Sequence, residues 1–517
     1  MSTDVEAALA AGYAFEGDAL TFGAGMRGEE ALPGAQIRVP LAMMNRHGLV
    51  AGATGTGKTK TLQVLAEQLS DAGVPVFISD IKGDISGLAA AAEPNDKLVG
   101  RANAIGFVEY APKSFPVEFF TLDRDGKGVR LRASVSSFGP ILLAKVLDLN
   151  ETQQSVLALA FKYSDDKKLP LVNLADLRAL LNHLNSDEGK AEMAEYGGVA
   201  TATVGVIVRK IVELEQQEAD AFFGSPEFEV SDFLRTADDG RGIVSILELA
   251  DMQDRPALFS TFMMWLLASL YESLPEVGDV EKPKLVFFFD EAHLLFRDAN
   301  KTFMQQIELV ARLIRSKGVG VFFVTHAPTD VPAEVLGQLG NRVQHALRAF
   351  TPDDLETVRA TADTFPTTDL YDVEEELTAL GTGEALITAL DPKGRPMPTA
   401  RTMMRPPMSL MAQVEPAVFD AVVSASAIAS IYAADTDPES AKELLAARMK
   451  QVEADAREPM EGVEDPESPD ERRMRPTRAP ERGVDWTDVA QEGARFVRSG
   501  TFNTILRSIL GILGKRR

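Results

Sequence analysis

The segment Gly52-Ala53-Thr54-Gly55-Thr56-Gly57-Lys58-Thr59 follows a Gly-x-x-x-x-Gly-Lys-Thr pattern, with a physical reason for each fixed position. Glycines let a backbone curl through torsions closed to other residues, so that successive N–H groups point inward at an anion. A helix beginning at the end of the loop adds the partial positive charge of its N-terminus. Lys58 is placed to reach the β- and γ-phosphates of a nucleoside triphosphate, and the Thr59 hydroxyl to coordinate Mg²⁺. Lys60 follows directly and completes the set of residues expected to hold the nucleotide. A second constellation lies far along the chain, where the apolar run Leu285-Val286-Phe287-Phe288-Phe289 ends in Asp290-Glu291. Alone, this is a plain strand end. With the phosphate loop it reads as the hydrolytic half of the site, Asp290 holding the magnesium and Glu291 polarising the attacking water.

Both constellations need strands to place them. Gly48–Ala51 is a short apolar run before the loop, and Leu62, Leu65, Ala66 and Leu69 repeat at helical spacing after it. Val74–Ser79 then reads as a second strand, so the order strand, phosphate loop, helix, strand opens a parallel α/β sheet. Residues 134–240 turn mostly helical, as in Asn150–Tyr163 and Leu174–Leu184, and form an expected insertion between core segments 46–133 and 241–405. Core strands return at 242–249, 285–289 and 319–324, with Glu384–Leu390 the last candidate. Continuous apolar runs of this kind fit strands covered on both faces. Residues 1–45 read as a short lead-in and 406–455 as a helical extension. Residues 456–484 are rich in Pro, Glu, Asp and Arg and read as a disordered linker, and 485–517 as an amphipathic helix ending in Lys515-Arg516-Arg517.

Composition sets the limits. Hydrophobic residues make up 45% of the 517 residues and charged ones 25%, the balance of a globular protein. The absence of cysteine excludes disulfides and thiolate zinc sites and fits a reducing cytoplasm. No stretch has the form of a signal peptide or a membrane span. The formal net charge of -24 opposes binding to a nucleic acid through the average field, so any such contact requires a local basic surface.

On these motifs the chain resembles the HerA/FtsK superfamily of P-loop motors, and within it the bacterial HerA-like family once called DUF853. Besides the phosphate loop, the resemblance rests on Asp80-Ile-Lys-Gly-Asp84-Ile-Ser-Gly-Leu88 and Leu285–Phe296. It also rests on Arg312–Gly320 and Val335–Phe350, and covers roughly residues 15–450. It implies a RecA-like ASCE P-loop core with a parallel sheet, a helical insertion and a C-terminal helical tail. It further implies ATP and Mg²⁺ as cofactors, and a homo-oligomer, a hexameric ring with its sites between subunits. HerA itself carries an N-terminal β-barrel, for which the roughly 45 residues before the loop leave no room. The strand Val319–Thr325 ends, in the superfamily, in Thr-Gln, whose Gln senses the γ-phosphate or water; here the residue is His326, either a replacement sensor or a tolerated polar strand end. Such rings complete each site with an arginine from a neighbour, and Arg315 and Arg342, flanking the sensor strand, are the candidates. Both also fit surface ion pairs.

Other residues stay open between two readings. Asp80, Lys82 and Asp84 either line the site or form a charged turn. The basic stretch Asp123–Arg132 either faces a ring channel or is a solvated hairpin. The C-terminal helix either lies on a membrane or docks onto protein, and with the insertion is a candidate surface for a protein partner. His293, beside the carboxylates, reads as a supporting residue because no partner ligands cluster with it in sequence. The leading expectation is Mg-dependent ATP hydrolysis coupled to moving a polymer, DNA by family analogy. The alternative is an ATP-gated scaffold or switch that recruits a partner.

Overall fold

The runs Gly48–Ala51, Val76–Asp80, Leu285–Phe289 and Val319–Thr325 are strands in the computed structural model, and every residue in them is buried. The structure describes residues 4–249, 256–278, 280–297 and 301–455. The strands in chain order are β1 (Ala19–Arg27), β2 (Glu30–Pro40), β3 (Gly48–Ala51), β4 (Val76–Asp80), β5 (Val117–Thr121) and β6 (Val129–Arg130). They continue as β7 (Val244–Glu248), β8 (Leu285–Phe289), β9 (Val319–Thr325), β10 (Asn341–His345), β11 (Glu384–Thr388) and β12 (Ala400–Met404).

All belong to one 12-stranded sheet ordered β2-β1-β12-β11-β10-β3-β9-β8-β4-β7-β5-β6. From β10 to β6 every neighbouring pair is parallel. Strand β9 lies between β3 and β8, so the loop after β3 and the acids after β8 emerge from the same edge, one strand apart. Phenylalanines knit this region across neighbouring strands: Phe77 to Phe287 at 5.2 Å, Phe288 to Phe322 at 5.2 Å, and Phe289 to Phe323 at 5.8 Å. Fully burying each such ring contributes about 1.5–3 kcal/mol, which fixes the strand ends that carry the polar residues.

Beyond β10 the sheet turns antiparallel through β11, β12, β1 and β2. Of this flank only β11, expected as Glu384–Leu390, was anticipated. Residues 1–45, read as a lead-in, supply the helix Val5–Gly12 and the hairpin of β1 and β2. Strand β12 falls after the last expected strand because Arg401 and Thr402 interrupt its apolar run. Arg401 is nonetheless 7% exposed, its guanidinium donating to Glu376 (2.5 Å) and Glu384 (2.9 Å).

The helical insertion consists of Val135–Val146, Glu151–Lys167, Leu174–Leu184, Asp187–Met193 and Thr201–Gln216, with short turns to residue 234. Asn150 with Gln153, and Asn173 with Asp176, close reciprocal capping boxes that start two of these helices. Leu174, Leu177, Leu180, Leu181 and Leu184 form the buried stripe of the third. After β12 come the helices Pro416–Ala425, Ala429–Tyr432 and Ala441–Asp455. Met1–Leu445 form one compact unit; of the second, Ala446–Arg517, the described part is the end of the helix Ala441–Asp455. The expected linker 456–484 and terminal helix 485–517 lie outside the described residues. Among the described residues no helix is long and apolar enough to cross a membrane.

The basic stretch 123–132 bridges β5 and β6, which pair in parallel, so it is a crossover loop and not a hairpin. Its cations pair with acids of the same chain: Arg124 with Asp220 (2.6 Å), Lys127 with Asp420 (2.8 Å), and Arg130 and Arg132 with Asp435.

Candidate nucleotide and metal site

The phosphate loop leaves β3 and is fixed on both sides by backbone hydrogen bonds. Gly52 N donates to Thr325 O (3.3 Å) and His326 O (3.0 Å) at the end of β9, and Ala53 N donates to Ala346 O (2.9 Å) after β10. Gly383 N donates to Thr56 O (2.9 Å). Gly52 and Gly57 have φ of 153° and 123°, where side chains are strained. A Cβ on Gly52 would also come within 2.5 Å of the His345 Cβ. Thr54 and Gly55 form the exposed tip, and Lys58 and Thr59 open the helix Lys58–Asp71.

Lys58 is 6% exposed, its ammonium donating to Gly52 O (2.7 Å) and Ala53 O (3.3 Å). Burial lowers its pKa, opposed by the fields of Glu291, Asp290 and Asp330. Lys60 turns toward other partners: its ammonium donates to Gln63 Oε1 (3.3 Å) and lies in the field of Asp84 and Asp80. The helix itself is clamped through Glu67, whose buried carboxylate accepts from Met408 N (3.0 Å) and Ser409 N (2.8 Å).

Across β9 stand the acids. Asp290 Oδ1 accepts from Glu291 N at 2.9 Å, while its buried Oδ2 has no hydrogen-bond partner. Burial, and then the charge of Glu291, push its pKa up to about 7. Glu291 adopts φ 49°, a left-handed conformation that is rare and strained for a glutamate. Its side chain is only 7% exposed, and Lys82 donates to Oε1. Burial raises the Glu291 pKa, but Lys82, helped by His326 and His293, outweighs this and holds the carboxyl below its ordinary range. His326 Nε2 and His293 Nδ1 each lie 3.3 Å from Glu291 Oε2.

The turn after β4 is built on Asp80, whose carboxylate accepts from the backbone N–H groups of Lys82, Gly83 and Ile85 at 3.1, 2.8 and 2.9 Å. That turn is a charged one, as one of the two readings had it, and it delivers Lys82 to Glu291. Burial, and then Asp84, raise the Asp80 pKa to about 6.

His345 ends β10 under the loop. Its Nδ1 faces Glu384 O at 2.8 Å, an acceptor only, so Nδ1 carries the proton and Nε2 accepts from Thr61 Oγ1 at 2.8 Å. Burial pushes its pKa down to about 4, keeping it a neutral spacer beneath Gly52. Sequence reasoning missed both this role and the Lys82–Glu291 pair; His345 closes the polar segment Asn341–His345, which carries no apolar strand signal. It also read His293 as lacking clustered ligands, which the structure corrects: Glu291, His293 and His326 offer ligand atoms within 4.8 Å of one another. The three come from two loops 33 residues apart, a proximity that linear spacing hides.

The two arginines are not brought to the loop of their own chain. Arg315 precedes β9, at the sheet edge opposite the phosphate loop, where its charge acts on His47. Arg342 lies on β10 and donates to Thr364 O at 2.7 Å.

The donors fit a magnesium nucleotide: a glycine cradle closed to a Cβ at Gly52, a buried lysine, and an orphaned carboxylate oxygen on Asp290. The family model described as helicase HerA-like C-terminal matches residues 26–517. The chain belongs to this HerA-like family. Its core is accordingly a P-loop α/β fold built on a large, mostly parallel sheet. The DNA double-strand break repair helicase HerA of Sulfolobus acidocaldarius is 22% identical over 360 residues, which cover 68% of this chain and 64% of that protein. The protein of the same description from Sulfurisphaera tokodaii is 24% identical over 361 residues, with the same coverage. The HerA-like chain thus spans less than two thirds of these relatives' length. Among solved structures, the bacterial conjugative coupling protein TrwBdeltaN70 superposes with a TM-score of 0.51 and 16% identity. It covers 79% of this chain and 93% of that one, a likeness of fold.

Proposed function

We propose that this HerA-like protein hydrolyses ATP with Mg²⁺ in a homo-oligomeric ring, a hexamer, and couples turnover to moving DNA. The observation that carries this reading is one buried cluster holding Lys58, Asp290 and Glu291 at the ends of nearby parallel strands. Backbone N–H groups and Lys58 would bind the phosphates, while Thr59 and Asp290 would hold the Mg²⁺, which supplies charge neutralisation at the transferred phosphoryl group. Glu291, kept ionised by Lys82, accepts a hydrogen bond from the attacking water, and His326 beside it orients the same water. Arg315 or Arg342 would complete the site of a neighbouring subunit. The relatives named for DNA repair support DNA as the polymer, and the protein would work in the cytoplasm.

A second reading, an ATP-gated scaffold recruiting a protein through the helical insertion or C-terminal helix, is favoured by one observation. The cations of the 123–132 loop all pair with acids of this chain, and the net charge is -24. ATP turnover with and without single- and double-stranded DNA, alongside the mass of the assembly with ATP, separates the two. Stimulation that falls steeply with salt supports the motor. Turnover indifferent to DNA, with ATP-dependent assembly, supports the scaffold.

A further inference from the structure

The three ligand-bearing side chains beside the catalytic edge have an arrangement that water-orienting chemistry does not require. Glu291 is more than nine-tenths buried, and its Oε2 has no hydrogen-bond partner, Lys82 being bound to Oε1. The buried His293 Nδ1 is likewise without one, although it lies 3.3 Å from that oxygen. His326 Nε2 stands 3.3 Å from the same oxygen, and the two imidazoles are 5.1 Å apart between ring centres.

A tetrahedral zinc with bonds of about 2.0–2.1 Å has donor-to-donor edges of about 3.3 Å, the separation found here for both histidine–carboxylate edges. The third edge lies within 4.8 Å, and His326, 42% exposed, has room to rotate and shorten it. Two imidazole nitrogens and one carboxylate oxygen suit zinc and its first-row neighbours, whereas magnesium prefers all-oxygen surroundings.

We infer that Glu291, His293 and His326 form a binding site for a zinc-class divalent ion, distinct from the magnesium position at Thr59 and Asp290. The ion takes the free oxygen of Glu291 and the free nitrogens of the two histidines, leaving its remaining position to water. Occupancy removes the oxygen that would engage the attacking water, so the ion acts as a brake on turnover. This braking consequence rests on Glu291 acting as proposed above; the binding itself does not.

The test uses the full chain without nucleotide, titrated with Co²⁺ alone while its visible absorption is followed, and then with Zn²⁺ as competitor. One equivalent of Co²⁺ should bind with the intense bands of a four- or five-coordinate ion, and Zn²⁺ should displace it. His293→Asn and His326→Gln, on separate loops, should each weaken binding by about 100-fold or more, since even supporting residues around such sites contribute 10- to 100-fold. Circular dichroism confirms that each variant is folded, and His183→Gln, in the helical insertion, should leave the affinity unchanged. Absence of bound Co²⁺ in the native chain, or binding that survives both loop substitutions, overturns the site. At fixed Mg·ATP, micromolar Zn²⁺ should lower turnover in the native chain, and a zinc-selective chelator should restore it. Zinc bound without inhibition overturns the brake. Cobalt bound by a chain that turns over no ATP would instead sink the ATPase proposal and leave the site standing.

Discussion

Glu248 ends β7 directly opposite Asp80 at the end of β4, so two carboxylates face each other where the sheet meets the site. No hydrogen-bond donor reaches Glu248 Oε1. Burial, and then the charge of Asp80, raise its pKa from 4.5 to about 8. A pKa higher in the folded than in the unfolded chain means that the folded state holds the proton more tightly. The benefit is complete below pH about 4.5 and is lost as pH rises through about 8, so folding weakens across that window. At 1.36 kcal/mol per pKa unit the full span corresponds to at most about 5 kcal/mol, and relaxation around the cluster reduces it to about 2–4 kcal/mol. Glu248→Gln keeps the shape and removes the charge. The nucleotide-free variant should melt at nearly the same temperature as the native chain at pH 5 and several degrees higher at pH 9. Scanning fluorimetry across pH 5–9 measures the difference. A melting difference that does not grow with pH, or a native chain that is the more stable at pH 9, would refute the reasoning.

Three other outcomes follow from the site. Glu291→Gln should bind Mg·ATP with near-native affinity and hydrolyse it at least about 100-fold more slowly in a steady-state phosphate-release assay, the usual contribution of a positioned base. His345→Ala opens a cavity beneath Gly52 and strands the Thr61 hydroxyl and Glu384 carbonyl; it should cost about 2–4 kcal/mol of stability by thermal melting and weaken nucleotide binding. His326→Gln should retain turnover if His326 orients the water by hydrogen bonding, while His326→Ala should slow it; equal rates in both variants and the native chain would remove His326 from the mechanism.

Five strands of the parallel half, β3, β4, β7, β8 and β9, were legible because they are continuous apolar runs covered on both faces, whereas β5, β6 and the polar β10 were not read as strands. Gly48–Ala51 and Leu285–Phe289 begin and end where the sequence places them, and Leu174–Leu184 does the same for a helix. Apart from β11, the antiparallel flank was hidden by composition. Strands β1 and β2 are broken by Gly23, Gly25 and Gly34, and β12 carries a buried arginine whose partners, Glu376 and Glu384, lie on other elements. At the site, the loop stood out by its local pattern, and the Asp290-Glu291 pair drew attention only in combination with it. Lys82, His345 and the Glu291–His293–His326 cluster were not, because each acquires its meaning from a neighbour supplied by a different strand end. The trans position given to Arg315 and Arg342 concerns a second subunit, and within one chain neither reaches the phosphate loop.

Calorimetric titration of Mg·ATP into the full-length chain, with Lys58→Ala in parallel, addresses the nucleotide site most directly. Saturable heat at one equivalent per chain, abolished by the substitution, is the expected result. No heat from the native chain, or equal affinity in the variant, would mean that the glycine loop and its lysine do not hold a triphosphate.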